Sequence, residues 1–293
     1  MTLLDEVRPT VAQLLLAPAE PASLPWGLAP LRFSASERFG AVLGVDDVEG
    51  WIDCSLLQHP FFKVFLDGRQ VPIRCVGSPR VVKGQTVTGF IDAAKTREVF
   101  GRGGTLMLCN MHEWHPPSRA LCRDLTDVVV GVSKATAFYS PPGNQGLATH
   151  RDDAHVFVVQ LAGRKKWSLF DTPSNPALRR AGAATPAGPE TVVVLEPGEG
   201  LYLPPYLAHH ARALVSSSSL HMSIHVREPR GRDVLDAAVE EVLTTDLLVA
   251  ELSGDRADRA AQVGRLLESL AARLADLDPN RVVAAIERRI TGR

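Results

Sequence analysis

Hydrophobic and polar positions change period twice along this chain of 293 residues. From Met1 to Ala17, Leu3, Leu4, Val7, Val11, Leu14 and Leu15 recur at helical spacing and predict an amphipathic first helix. Pro18 to Pro30 is rich in Pro and Ala and reads as a connecting loop. Ser34 to Leu57 predicts two short helices, the second over Val45 to Leu57. Phe61 to Val76 predicts a hairpin, with FFKVFL and VPIRCV flanking the turn pair Asp67-Gly68. Asp92 to Phe100 predicts a short helix, Thr105 to Cys109 a buried strand, and Ser118 to Asp127 a further helix.

From Val128 the period shortens to that of strands. VVVGV, KATAFYS, HVFVVQL, KKWSLF, TVVVL, GLYLP, ARALV and LHMSIHV are short runs separated by Gly, Pro, Asn and Ser. About eight such strands in succession predict a jelly roll or double-stranded β-helix. Asp171 to Glu190, rich in Pro and Ala, reads as a surface loop. After Pro229 the helical period returns. Asp233 can cap a helix carrying Leu235, Val239, Val242 and Leu243, and Ser253-Gly254-Asp255 ends it. Val263, Leu266, Leu267, Leu270, Leu274 and Leu277 line one face of a second helix, and Asp278-Pro279 opens a third. The fold class is therefore a mainly β core with α, with N-terminal helices and a C-terminal helical module. Residues 1–229 form the β-helix domain, its core at about 104–228, and residues 230–293 the module.

Composition narrows the function classes. At 45% hydrophobic and 22% charged residues with a formal net charge of -1, the chain is globular, with no global charge for nucleic acid or membrane. The module has no basic stripe, so no nucleic-acid partner is expected; its apolar face could cover the barrel or make a homodimer. Cys54, Cys75, Cys109 and Cys122 form no C-x-x-C and are expected to be reduced, mostly buried thiols of a cytoplasmic protein. No signal peptide and no bilayer-spanning run is expected.

The chemistry concentrates in Pro141 to Asp171, PPGNQGLATHRDDAHVFVVQLAGRKKWSLFD. Residues two apart on a strand share a face, so His150 and Asp152 project together. They supply two thirds of a 2-His-1-carboxylate face, which holds non-haem Fe(II) and leaves positions open. An H-x-D triplet alone arises about once by chance in such a chain, so a second His and a cosubstrate anchor are required. His209 and His210 follow GLYLPPYLA, and the Pro-flanked strand end favours His209. His221, Ser223 and His225 share one strand face and read as packing or as support for the ligands. Lys165 shares a face with Trp167; if that face is inward, the buried ammonium needs an anion such as the distal carboxylate of 2-oxoglutarate. Otherwise Arg164, Lys165 and Lys166 are a solvated basic turn. His112-Glu113 with His115 does not make a zinc-protease site: the motif needs histidines four apart, and Pro116-Pro117 stops a helix.

These segments, in this order, resemble the JmjC-type cupin oxygenases, in particular the ribosomal-oxygenase-like branch. The likeness runs from about Gly104 to Val226, through GGTLMLCNMHEWHPPSRALC, SPPGNQGLATHRDDAHVFVVQLAGRKKW, PGEGLYLPPYLAHHA and SLHMSIH. The resemblance implies Fe(II) held by His150, Asp152 and His209, and 2-oxoglutarate as cosubstrate paired with Lys165. It implies hydroxylation of an unactivated C–H bond, of an amino-acid side chain in a peptide or protein or of a small molecule. A non-catalytic metal-binding cupin acting as scaffold or sensor is the different-class alternative. The chain departs from the family at two places: Phe138 stands where a cosubstrate-binding Tyr is frequent, and His225 where a small hydroxyl residue is common. A bulge would bring Tyr139 to the cosubstrate instead.

Overall fold

The computed structural model describes residues 11, 13–17, 26–129, 131–172, 181–243 and 251–291. Most of the predicted first helix lies outside them; Val11 and residues 13–15 are helical. The chain divides into two compact units: residues 1–129 with 133–227, and residues 130–132 with 228–293.

The first unit is built on two sheets. The larger has eight strands in the order β1-β13-β9-β15-β7-β6-β2-β3. These are β1 (Leu31–Ser34), β2 (Phe62–Leu66), β3 (Arg69–Gln70), β6 (Thr105–Leu108), β7 (Val132–Ser140), β9 (His155–Ala162), β13 (Glu199–Leu203) and β15 (Ser219–Arg227). The smaller has five in the order β11-β8-β14-β10-β12. These are β8 (His150–Arg151), β10 (Lys165–Phe170), β11 (Gly182–Ala183), β12 (Thr191–Leu195) and β14 (Ala208–Ala213). A separate hairpin pairs β4 (Gly77–Val82) with β5 (Gln85–Ile91).

The larger sheet is covered on both faces, which explains the unbroken apolar run of β9. Phe157 and Val159 join the main core with Leu121, Cys122 and Leu125 of the Pro116–Val129 helix and Val48 and Ile52 of the Val45–Cys54 helix. Val156 and Val158 turn the other way, packing with Leu201 and Leu203 of β13 against Trp167, Leu169 and Leu195 of the smaller sheet. The second cluster is the inside of the double-stranded β-helix.

Several predicted elements need correction. VVVGV is no strand: Val128 and Val129 end the Pro116–Val129 helix and β7 begins at Val132. The hairpin at Asp67-Gly68 forms, both residues having positive φ (50° and 74°), but its second arm is only β3. VPIRCV becomes a 3-10 turn over Ile73–Cys75, since Pro72 has no N–H to give a ladder. The β4–β5 hairpin was not predicted; its turn, Lys83-Gly84, also has two positive φ angles (49° and 78°). ARALV starts three residues early, at Ala208. The Asp171 to Glu190 insert is not only loop: β11 pairs with β8, Ala183 opposite His150 and Gly182 opposite Arg151. Two of the four free cysteines, Cys54 and Cys75, are exposed rather than buried.

The second unit carries the helices Gly231–Val242, Arg256–Ala275 and Pro279–Thr291. Ala237 packs against Val282, Ala285 and Ile286. Glu241 receives Arg281 at 2.9 Å and Arg288 at 2.5 Å. Asp255 caps the middle helix, accepting from the backbone N–H of Ala257 and Asp258. No residue of that helix is buried, and Val263, Leu267 and Leu274 are exposed on it. No helix among the described residues is long and apolar enough to cross a membrane.

Candidate metal centre

Three strands of the smaller sheet bring the chemistry together. β14 pairs antiparallel with β8, His209 directly opposite His150. β10 lies on the other side of β14, with Leu169 opposite His209, Trp167 opposite Ala211 and Lys165 opposite Ala213. Cross-strand partners share a face, so His150, His209, Trp167 and Lys165 all face the inside. His210 takes the outer face: its Nδ1 lies 3.0 Å from Thr149 Oγ1 and its ring beside Phe170. Asp152 follows β8, and its carbonyl accepts the Tyr206 N–H at 2.7 Å. That bond ties the loop carrying Asp152 to the turn that precedes His209.

One ligand atom from each of His150, Asp152 and His209 lies within 4.8 Å of the others. Among the described residues no other group of His, Cys, Asp or Glu does this. The Nδ1 atoms of His150 and His209 lie 3.0 Å from the carbonyl oxygens of Ala148 and Leu207, each two residues back. Donation to those carbonyls fixes the tautomer and leaves each Nε2 a lone pair. These Nε2 atoms stand 3.8 and 3.5 Å from Asp152 Oδ2. Burial pushes His209 down to about 4, with His150 adding to the effect. Burial works to raise the Asp152 carboxyl, but His225, His209 and His150 outweigh it and hold the group below the ordinary range. Two imidazoles and a carboxylate, pre-aimed at a common point, are the donor set of a divalent metal.

A cavity open to solvent runs from this cluster to Lys165. Phe138, Val156, Trp167, Ala211, His221, Ser223 and His225 line it. Lys165 is fully buried, and burial brings its pKa down to about 7. Its Nζ donates to Ser140 Oγ at 3.1 Å and lies 3.2 Å from His221 Nδ1. Thr105 Oγ1 donates to the same Ser140 at 3.0 Å. Burial and Lys165 hold His221 well below the usual imidazole range. No carboxylate bonds to Lys165 among the described residues, so an ammonium there lacks an anion.

Tyr139 does not enter this cavity. β6 and β7 pair without a bulge, Met107 opposite Phe138 and Leu106 opposite Tyr139. Strict alternation sends Tyr139 into the main core, edge-on to Phe100, where burial and Glu49 raise its pKa. Phe138 takes the inward position and stacks on His221, ring centroids 4.9 Å apart. Ser140 and Thr105, which support Lys165, were not read from the sequence; Ser140 shares period-2 alternation with Phe138. Trp167 was expected to share the Lys165 face and does; its Nε1 is buried without a hydrogen-bond partner among the described residues. His112 and His115 stay out of the site: His115 bonds Ser118 at 2.8 Å and His112 lies 3.9 Å from Glu113.

A family model described as "JmjC domain" matches residues 114–234. Residues 114–234 of this chain are thus similar to that domain family. The match contains all three clustered residues, Lys165 and β15. A curated relative, Ribosomal oxygenase 1 of Gallus gallus, is 36% identical over 124 residues, 39% of this chain and 21% of that protein. The "Bifunctional lysine-specific demethylase and histidyl-hydroxylase NO66" of Drosophila mojavensis is 29% identical over 151 residues, 49% of this chain and 17% of that protein. The chain thus spans about a fifth of the length of the curated relatives it matches. Among solved structures, Escherichia coli YcfD in complex with cobalt and 2-oxoglutarate superposes with a TM-score of 0.56 at 19% identity. It covers 88% of this chain and 66% of that chain. A second structure of E. coli ycfD gives a TM-score of 0.59 at 20% identity, covering 88% and 67%. The likeness shows that this chain shares the fold of those structures.

Proposed function

We propose that this protein is an Fe(II)- and 2-oxoglutarate-dependent oxygenase that hydroxylates an amino-acid side chain of a peptide or protein. The observation that carries the reading is the pairing of two sites in one cavity. A metal-ready cluster of His150, Asp152 and His209 lies at one end, and the buried Lys165, without an anion, at the other. His150, Asp152 and His209 would hold Fe(II). With iron and 2-oxoglutarate held there, O2 would be the oxidant: one oxygen atom would enter the C–H bond and the other the succinate left, with CO2, by decarboxylation of 2-oxoglutarate, so no protein acid or base is needed. Lys165, supported by Ser140 and His221, would neutralise the distal carboxylate of the cosubstrate. Phe138, Val156 and Trp167 wall the space between with apolar surface. The names of the relatives, histidyl-hydroxylase and ribosomal oxygenase, support a side chain of a protein as the substrate.

The deciding experiment is an anaerobic titration of the Fe(II) protein with 2-oxoglutarate, followed by visible absorption. A charge-transfer band that needs both components and is lost in Asp152→Ala supports the oxygenase. Bound iron with no band would overturn it and leave a non-catalytic cupin. The exposed Val263, Leu267 and Leu274 also support self-association through the helical unit; a monomer mass in light scattering would refute that part.

A further inference from the structure

We propose that a second recess, beside the metal cavity, binds one carboxylate side chain of the peptide or protein substrate. This site rests on the oxygenase reading above and adds substrate recognition to it. Asp67, Arg102, Asn144, Gln145 and Arg212 supply its polar lining. Three turns build it. The Asp67-Gly68 turn meets the loop from β7 to β8 through a bridge between Gly68 and Leu147. Gly103, which follows the helix Ala93–Gly101, comes so near that loop that a Cβ there would lie 2.8 Å from Asn144 Oδ1. The loop itself is tied to β14, where the Ala213 N–H donates to the Asn144 carbonyl at 2.9 Å.

That loop is a wall shared by both sites. Gly146 and Leu147 line the cavity with His150 and Asp152, whereas Gly143, Asn144, Gln145 and Ala148 line the recess. β14 serves both as well. His209 and Arg212 lie on it three residues apart, about 10 Å along the strand. An extended peptide covers that distance in about three residues. A peptide that presents one side chain to the metal cluster therefore brings an acid about three or four positions away to the recess.

Charge decides the ligand. Arg32, Arg38, Arg97 and Arg164 of the same unit each meet a carboxylate. Arg102 and Arg212 meet none among the described residues, although Asp67 shares their lining. Arg212 is held by neutral acceptors instead: Nη1 donates to the Gly143 carbonyl at 3.2 Å and Nη2 to Gln145 Oε1 at 3.4 Å. Those bonds orient the guanidinium and leave further N–H donors for a planar anion, which a carboxylate matches. Two guanidiniums against one carboxylate suit a single acidic group. A nucleic-acid backbone, charged at every phosphate, needs a longer basic track.

The probe is N-acetyl-glutamate N-methylamide, with the glutamine analogue as control. Each is titrated into the full-length protein without 2-oxoglutarate and followed by the arginine Nε–H signals in NMR. The glutamate compound is expected to move the Arg102 and Arg212 signals with a Kd on the order of a millimolar, and the glutamine compound to leave them in place. Arg102→Gln and Arg212→Gln should each weaken binding at least about fivefold, and Lys165→Met should not change it. Arg102→Gln breaks no ion pair among the described residues, so it decides the matter if loss of Arg212 loosens the loop. Equal response to the two compounds, no response, or a response lost in Lys165→Met and kept in Arg102→Gln would overturn the recess as the site. Tighter binding of a uridine oligonucleotide through the same arginines would overturn the peptide as its ligand. Arginine-dependent glutamate binding in a protein that gives no iron–2-oxoglutarate band would overturn the oxygenase reading and leave the anion site standing.

Discussion

Lys165 Nζ and His221 Nδ1 lie 3.2 Å apart in the wall of one cavity. Burial leaves Lys165 at about 7 and drives His221 well below the usual range, so near neutrality His221 is an uncharged acceptor and Lys165 is half protonated. A dicarboxylate pairs with the ammonium form only. Above about pH 7 its binding must take up a proton, and Kd for 2-oxoglutarate should rise about tenfold per pH unit; between about pH 6 and 7 it should change little. Calorimetry at about pH 8.5 in two buffers of different ionisation enthalpy checks this. Equal heats in the two buffers would mean that Lys165 is charged before the ligand arrives.

Lys165→Met separates function from stability. The substitution nearly preserves volume and removes a charge that no anion balances. Cosubstrate binding should fall roughly a hundredfold, about 2.8 kcal/mol. The fold should hold or gain. Lys165 falls from 10.5 in the unfolded chain to about 7 in the folded one, so folding releases a proton between these values and parent stability rises with pH across them. The advantage of Lys165→Met should therefore be greatest below about pH 7 and shrink above it. Thermal melts at about pH 6 and 9 measure it, and a lower Tm for the variant at both would contradict the argument.

His209 of the clustered triad and its neighbour His210 differ by one residue and by one sheet face. His209 is 4% exposed and faces Asp152, whereas His210 bonds Thr149 on the outside. His209→Ala should abolish measurable Co(II) binding, and His210→Ala should leave its Kd within about threefold. Comparable losses in the two variants would show that strand β14 is read in the wrong register.

Much of this arrangement was legible in the chain because strand chemistry has a fixed period. His150 and Asp152 two apart, and Lys165 and Trp167 two apart, announce shared faces before any fold is known. What stayed hidden depends on pairing across long separations. Nothing local tells that Thr105 meets Ser140, or that Ala183 of the insert pairs with His150. Tyr139 shows the limit from the other side. Expecting a phenol at the cosubstrate invited a bulge, and the regular β6–β7 ladder does not have one. VVVGV failed because Val128 and Val129 complete the buried face of a helix, and tertiary packing overrode their β preference.

The placement of Tyr139 gives a direct check. Its ring packs on Phe100, away from the cavity, so Tyr139→Phe should change 2-oxoglutarate affinity by less than about twofold. Phe138→Ala removes the ring stacked on His221 and should weaken the same affinity by about tenfold. The opposite ranking, measured by calorimetry on the metal-loaded protein, would place the phenol at the ligand.

Gly163 links backbone geometry to the Lys165 end of the cavity. It turns β9 into β10 with φ +62°, and a Cβ there would lie 1.8 Å from the carbonyl oxygen of Ser218. No rotamer relieves a clash between a Cβ and backbone; either the β9–β10 turn or the segment entering β15 must move. Gln160 resists the first movement, since its Nε2 donates to the carbonyls of Ala162 and Gly163 and to Ser219 Oγ at 2.8 Å. Lys165 begins β10 two residues later, so displacement of the turn shifts its ammonium against Ser140 and His221. Gly163→Ala should thus cost about 2–4 kcal/mol in urea unfolding and weaken 2-oxoglutarate while leaving Co(II) affinity nearly unchanged, because His150, Asp152 and His209 lie on other strands or loops. A loss of under about 0.5 kcal/mol would show that the approach to Ser218 relaxes freely. Parallel losses of Co(II) and 2-oxoglutarate would show that the two ends of the cavity are not held independently.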